Sequence, residues 1–200
     1  MSDDIRVLPA NEVSWHELQT ALGAHGEAAR CQCQWFFTRG KEFSGMPREE
    51  RERRFREQTA CGRPDAARTS GLVAFLDGEP AGWCAVEPRT RYARLAQLRV
   101  PWTGREEDRS DDGVWAIVCF AVRSEQRRRG VSTALAVAAV DHARAHGARA
   151  VEGYPMQLPP GANDTWGELF VGTPAMFEAA GMTVVSRPTP RRLVMRREFA

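Results

Sequence analysis

The 200-residue chain is 42% hydrophobic and 27% charged with a formal net charge of +2, enough for one full core, short for two domains, and without a global field that would draw nucleic acid. No apolar run approaches the ~20 residues a spanning helix needs, the start MSDDIRVLPA has no signal-peptide core, and five irregularly spaced cysteines suit free thiols; the expectation is a cytoplasmic protein with no membrane partner. Among the 28 basic residues Lys41 is the one lysine, a bias of GC-rich genomes that lowers the weight of any arginine count.

In chain order, IRVLP (5–9) reads as a strand. SWHELQTAL (14–22) reads as a helix, with Ser14 as N-cap and Glu17 completing a capping box. ARCQCQWFFTRG (29–40) has no clear period. MPREERERRFREQTACG (46–62) predicts a surface or groove-lining helix, since Pro47 suits an early helical position and the apolar content is thin. GLVAFLDGEPAGWCAVEP (71–88) predicts a hairpin: a strand over 72–76, a turn at Asp77 and Gly78, a second strand over 81–87. Residues 89–113 read as loop with one helical turn. VWAIVCFAV (114–122) is nearly all apolar, as a central strand buried on both faces requires.

A long helix is expected from about Gly130 to His146, a strand over 148–154, and a turn-rich insertion over 155–171. A short helix over 173–182 has Thr173 as cap and Pro174 at its first position. TVVSR and RRLVMRREF close the chain as a strand pair. No repeat or second core is visible, so 1–200 reads as a single α/β domain, a mixed sheet with helices on its faces.

The stretch SEQRRRGVSTAL (124–135) joins the buried strand to the long helix. A helix start offers unpaired amides and the positive end of its dipole. Gly130 permits close backbone approach, Ser132 is too small to cover the amides, and Arg127, Arg128 and Arg129 can close over an anion. The geometry is that of a phosphate site, although the Walker A and dinucleotide spacings are both absent.

VCFAVRSEQRRRGVSTAL resembles the acyl-coenzyme A binding core of the GNAT (GCN5-related N-acetyltransferase) family, whose signature is Arg/Gln-x-x-Gly-x-Gly/Ala after a central strand. Arg127 and Gly130 match; Ser132 stands where the second glycine or alanine is usual. The order of elements from Ile5 onward is similar to the family's along nearly the whole chain, and GTPAMFEAAGM (172–182) resembles its C-terminal glycine-aromatic segment. The resemblance implies a central mixed, mostly antiparallel sheet flanked by helices. It implies acetyl transfer from the cosubstrate acetyl-coenzyme A to a primary amine by direct attack in a ternary complex, with no metal. Backbone groups near Phe120 and Val122 would bond the pantetheine arm. Amides from Arg128 to Thr133, Gly130 and Ser132 among them, would hold the pyrophosphate. The strands of 114–122 and 148–154 would splay, with the acceptor arriving over the hairpin and the N-terminal helices.

Acetyl transfer needs a neutral amine, a polarised carbonyl and a stabilised leaving thiolate. Phe177 occupies the position where many relatives of this kind carry a tyrosine acid, and Met182 replaces an aromatic. Tyr154 is the substitute acid, against the reading of a strand-end tyrosine bonded to backbone. Glu87 is the first choice of base and Glu152 the second; each is also suited to pairing with one of the many arginines. Asp111 and Asp112 suit solvated turn carboxylates better than an amine-attracting site. Trp35, Phe36 and Trp83, with Phe37 and Trp166, are candidates for an apolar acceptor wall or for core packing. Cys31 and Cys33 lack the spacing of a zinc knuckle, while Cys84 and Cys119 fit apolar packing.

The acceptor, a small-molecule or protein amine, stays open, and the insertion suits a lid or a homodimer contact. A catalytically lapsed acyl-coenzyme A binding protein is the alternative. Nucleic-acid binding through Arg127 to Arg129 with Arg51, Arg53, Arg54 and Arg56 is disfavoured, because those arginines alternate with glutamates.

Overall fold

The run of apolar residues in 114–122 forms the middle of a seven-stranded sheet, because a strand without a polar face must be covered on both sides. The structure is a computed structural model that describes residues 4–158 and 169–200. Its strands are β1 (Ile5–Pro9), β2 (Leu72–Leu76), β3 (Glu79–Pro88), β4 (Val114–Val122), β5 (Ala150–Gly153), β6 (Thr183–Thr189) and β7 (Arg192–Glu198), in the spatial order β1-β2-β3-β4-β5-β7-β6. All neighbouring pairs are antiparallel except β4 and β5, which run parallel. The sheet is therefore mixed and mostly antiparallel, and the predicted hairpin lies at β2–β3.

Helices cover both faces. On one side lies α5 (Val131–Ala145), with α6 (Pro174–Ala179) beside it. Leu135, Ala139, Val140 and Phe177 there meet Leu72, Ala74, Cys84 and Ile117 of the sheet. The opposite face carries α1 (Trp15–Leu22), α2 (Glu27–Cys31), α3 (Glu42–Gly45) and α4 (Arg48–Thr59). Here Leu18, Leu22 and Phe55 pack on Val73, Trp83, Ala116 and Val118. Gly82 lets α5 approach the sheet: a Cβ there would sit 2.8 Å from the Ala121 carbonyl and 3.1 Å from Val131.

The α1 capping box is present as expected: Glu17 N–H donates to Ser14 Oγ at 3.2 Å and Ser14 N–H to Glu17 Oε2 at 2.7 Å. The helix predicted over 46–62 is shorter, ending where Ala60 turns left-handed (φ 54°). Its arginines are bound to its own acids and to Glu42: Arg53 to Glu50 and Glu57, Arg54 to Glu50 and Glu42. The strand predicted over 148–154 narrows to β5. The unassigned 29–40 stretch folds as α2 followed by left-handed turns at Gln32 and Cys33. Of the insertion over 155–171, residues 159–168, with Trp166, lie outside the described residues.

Candidate active site

β4 and β5 pair only from Val114↔Ala150 to Ile117↔Gly153. β4 then continues to Val122 alone on that side, which leaves amides that need partners. One partner comes from the chain itself: the Phe120 N–H donates to the Phe170 carbonyl at 2.6 Å. Pairing with β5 thus stops at Ile117, where β5 ends, and residue 170 lies against the freed edge of β4. Val122 is paired with Gly82 across the β3 edge.

Beyond β4 the chain turns through 124–126 into the arginine cluster. Arg128 has φ 62° and Gly130 φ 83°, and Gly130 is the N-cap of α5 with no side chain capping the helix. The amides of Val131, Ser132 and Thr133 are thus the open first-turn donors of a 15-residue helix. Among the described residues, no side-chain hydrogen bond or ion pair holds the exposed Arg127 and Arg128. Arg129 is committed elsewhere, to Asp77 at 2.7 Å and Gln126 at 2.9 Å. Two arginines and three amides therefore remain for an anion at this turn.

A cavity of about 820 Å³ opens beside it, bordered by Arg127, Arg123, Val122, Ala121 and the loop between α1 and α2. At its inner end it meets a second cavity of about 410 Å³, with which it shares Leu22, Glu27, Ala28 and Ala121. The inner chamber is lined by Trp35, Phe36, Phe43, Trp83, Cys119 and Phe170. The three predicted acceptor aromatics thus border one space, to unequal degrees: Trp35 is 39% exposed, Phe36 5% and Trp83 1%. Trp83 belongs largely to the core, its indole N–H 3.4 Å from Cys33 Sγ and its ring edge-to-face with Phe55.

The loop carrying these aromatics is tied down by polar groups. Gln32 exchanges hydrogen bonds with Gln19 at 2.9 Å, and Gln34 donates to Gln58 at 2.7 Å. Arg94 lies 3.8 Å from the Trp35 ring centroid and donates to the Trp35, Gly40 and Thr38 oxygens. All five cysteines are free. Burial and the neighbouring Cys33 push the Cys31 thiol up to about 11. A hydrogen bond with Cys33, then burial, raises Cys119 far above its ordinary value. Both stay protonated near neutrality and present no thiolate. No group of three or more His, Cys, Asp or Glu among the described residues is arranged to hold a metal.

The candidate acid and bases are not drawn to this chamber. Glu152 is wholly buried, its carboxylate taken by Arg105 at 2.5 Å, Arg196 at 2.6 Å and Arg89 at 3.6 Å. Burial raises its pKa, but these arginines outweigh that and hold it below the ordinary carboxylate value. The Tyr154 hydroxyl donates to the same carboxylate at 3.0 Å, and burial followed by the Glu152 charge raises it far above a normal phenol. The pair is a buried ionic centre rather than a base and an acid facing substrate.

Glu87 borders a third cavity of about 320 Å³ with Arg91, Trp115, His142 and His146, sharing no lining residue with the other two. Ser70 donates to it and Arg91 lies 3.2 Å away; burial, against the opposing Arg91 and Arg68 charges, lifts it to about 7. Asp111 holds Arg149 and the Gly113 amide, and Asp112 receives the Thr90 hydroxyl, as turn carboxylates do. Sequence reading missed Glu27 and Phe170. Glu27 carries no signal beyond an acid near a helix start, and Phe170, whose carbonyl meets β4 and whose ring lines the chamber, lies in a turn-rich segment with no local pattern to mark it.

The fold recurs in known proteins. Among curated proteins none matches the chain in sequence. Solved structures share the fold: a GNAT-family acetyltransferase from Streptococcus pneumoniae is 14% identical, with TM-score 0.52 over 98% of this chain and 100% of its own. Another acetyltransferase is 17% identical, with TM-score 0.53 over 96% and 98%. The aminoglycoside acetyltransferase AAC(6')-Ib, solved with coenzyme A, is 16% identical, with TM-score 0.50 over 98% and 95%. In sequence, the acetyltransferase (GNAT) family model matches residues 32–154, from the left-handed turn of the aromatic loop to just past β5. With more than half its length so matched, the chain belongs to the GNAT acetyltransferase family.

Proposed function

We propose that the protein transfers an acetyl group from acetyl-coenzyme A to a primary amine by direct attack within a ternary complex. The observation that carries this reading is the turn before α5: Arg127 and Arg128, without a side-chain partner among the described residues, and an uncapped helix start at Gly130, at the mouth of a cavity bordered by the end of β4. Arg127, Arg128 and the amides of Val131, Ser132 and Thr133 hold the pyrophosphate; Arg129, bound to Asp77, shapes the turn. At ~3.3 Å per strand residue the path from Arg123 to Cys119 is about 13 Å, room for an extended arm. The arm takes over the Phe120 amide from Phe170, and that amide then polarises the thioester carbonyl.

The attacking nitrogen forms the C–N bond, the C–S bond breaks, and the thiolate leaves into the water-accessible outer cavity, where it gains a proton. The amine proton leaves by the same route. Glu152 and Tyr154 hold β5 to β7 and to the loop before β4, and Glu87 lies in its own cavity, so none of them is the proton acceptor in this reading. Tyr154→Phe and Glu87→Gln accordingly keep kcat within about twofold; a loss of two orders of magnitude in steady-state assays returns them to the chemistry.

The founding test is calorimetric titration of acetyl-coenzyme A into wild type, Arg127→Ala and Gly130→Glu. Micromolar binding, weakened in both variants, supports the reading; a folded wild type that does not bind overturns it. A lapsed enzyme that only binds the cosubstrate is the second reading, favoured by the Phe170 carbonyl on the Phe120 amide and by the ring of Phe177. It is separated by turnover of any amine.

A further inference from the structure

The inner chamber specifies more than an amine. Building on the acetyl-transfer reading, we infer that the acceptor is a primary amine with one apolar, aromatic-sized body and a single cationic nitrogen, and that polycations are excluded. The body lies among Trp35, Phe36, Phe43 and Phe170, and the nitrogen meets Glu27 where the two cavities join.

The chamber, at about 410 Å³, is of ligand size. Its walls are aromatic rings and thiols that burial keeps protonated. Among the described residues Glu27 is the one charged residue on its lining, and it stands at the junction with the outer cavity. Its side chain is 59% exposed and pairs with Arg30 on the surface, so an incoming ammonium meets a carboxylate that solvent still reaches.

A second positive charge carried deeper would have no partner there, and an unpaired charge in an apolar site is heavily penalised. One face of Trp35 is already taken by a cation, Arg94, a residue 8% exposed whose guanidinium is fixed by three carbonyl and hydroxyl oxygens.

Turnover with acetyl-coenzyme A is compared for 2-phenylethylamine, spermidine and kanamycin, in wild type and in Trp35→Ala, Phe43→Ala and Glu27→Gln. Trp35 and Phe43 are partly exposed wall residues, so these variants fold. The expected result is a kcat/KM for 2-phenylethylamine on the order of 100-fold above that for spermidine. It falls about tenfold in each variant, while acetyl-coenzyme A binding by calorimetry is unchanged.

Equal or greater turnover of the polycations overturns the inference. So does a preference for hexanoyl- over acetyl-coenzyme A that Trp35→Ala abolishes, which would assign the chamber to the acyl chain. Ligand-observed NMR of 2-phenylethylamine with the free protein reads the chamber without turnover. Binding lost in Trp35→Ala, in a protein that fails to bind acetyl-coenzyme A, would defeat the transfer reading and keep the amine site. Absence of binding there, with intact coenzyme A binding and no turnover of the arylalkylamine, would defeat the inference and keep the transfer reading.

Discussion

At Gly153 an added Cβ would lie 2.5 Å from Cζ of Phe177, and at Gly172 one would lie 2.9 Å from the same ring and 3.0 Å from Phe120. Phe177 is thus wedged between two glycines and fully buried, edge-to-face with Phe120. Gly153→Ala is expected to cost roughly 1–3 kcal/mol in urea unfolding, the usual penalty of overpacking. Phe177→Tyr would put a hydroxyl on the carbon that already faces Gly153; it destabilises by a similar amount and leaves kcat no higher. The missing tyrosine is therefore a matter of packing, which no inspection of position 177 in the sequence reveals. Glu152 shows the same gap between residue type and role. A lone glutamate in AVEG suits a base, yet arginines from three separate segments reach it. Removing one partner of a buried ionic group is severe, so Glu152→Gln is expected to lower stability by about 3–5 kcal/mol. Because its folded pKa is depressed, its contribution is present above the ordinary carboxylate pKa and is lost as pH falls through the folded one; an acid-unfolding series on wild type and variant checks this.

Among the elements, the segments that were hardest to read carry the site. α1, the hairpin, β4 and α5 are legible because capping chemistry, a tight turn and apolar periodicity are local signals. The 29–40 loop has none, since its shape depends on partners far along the chain: Gln58 from α4 and Arg94 from the loop after β3. Arg94→Ala should release the loop, raising the acceptor KM about tenfold while calorimetry finds acetyl-coenzyme A affinity unaltered. The segment at Phe170 has a complementary part. In the proposed complex its carbonyl and the acyl arm compete for one amide, so the closed arrangement subtracts from cosubstrate affinity. Phe170→Ala removes the ring that packs on Phe36 at 6.3 Å and is expected to tighten acetyl-coenzyme A binding by about fivefold; weaker binding would show that the segment supports the site instead.

Over the whole molecule, the third cavity sets two titrations against each other. Glu87 binds its proton up to about pH 7 when folded, against an ordinary 4.5, so its effect on stability declines as pH rises between those values, by roughly 3 kcal/mol. His142, near Trp115 and with its ring centroid 4.1 Å from that of His146 at a 38° tilt, is pushed down from 6.5 to about 4 by burial and then by the His146 charge. The unfolded chain binds its proton first, so this effect on stability increases from pH 4 to 6.5. The two slopes oppose each other, and wild-type stability should be nearly level from pH 4.5 to 6.5. Glu87→Gln should leave a stability that climbs with pH, and His142→Gln one that declines; urea midpoints across that range test both.

Composition, apolar periodicity and the RRRG turn were sufficient for the fold class, the family resemblance and the place of the proposed phosphate-binding turn. Each is a property of neighbouring residues, or of a single strand's need to be covered on two faces. The apolar chamber, the carboxylate at its junction, the Phe170 carbonyl on β4 and the removal of Glu152 and Tyr154 into an ionic centre arise from residues tens of positions apart. Such contacts depend on which strands lie side by side and where their pairing stops, and that is set by the packing of the whole sheet against its two helical layers.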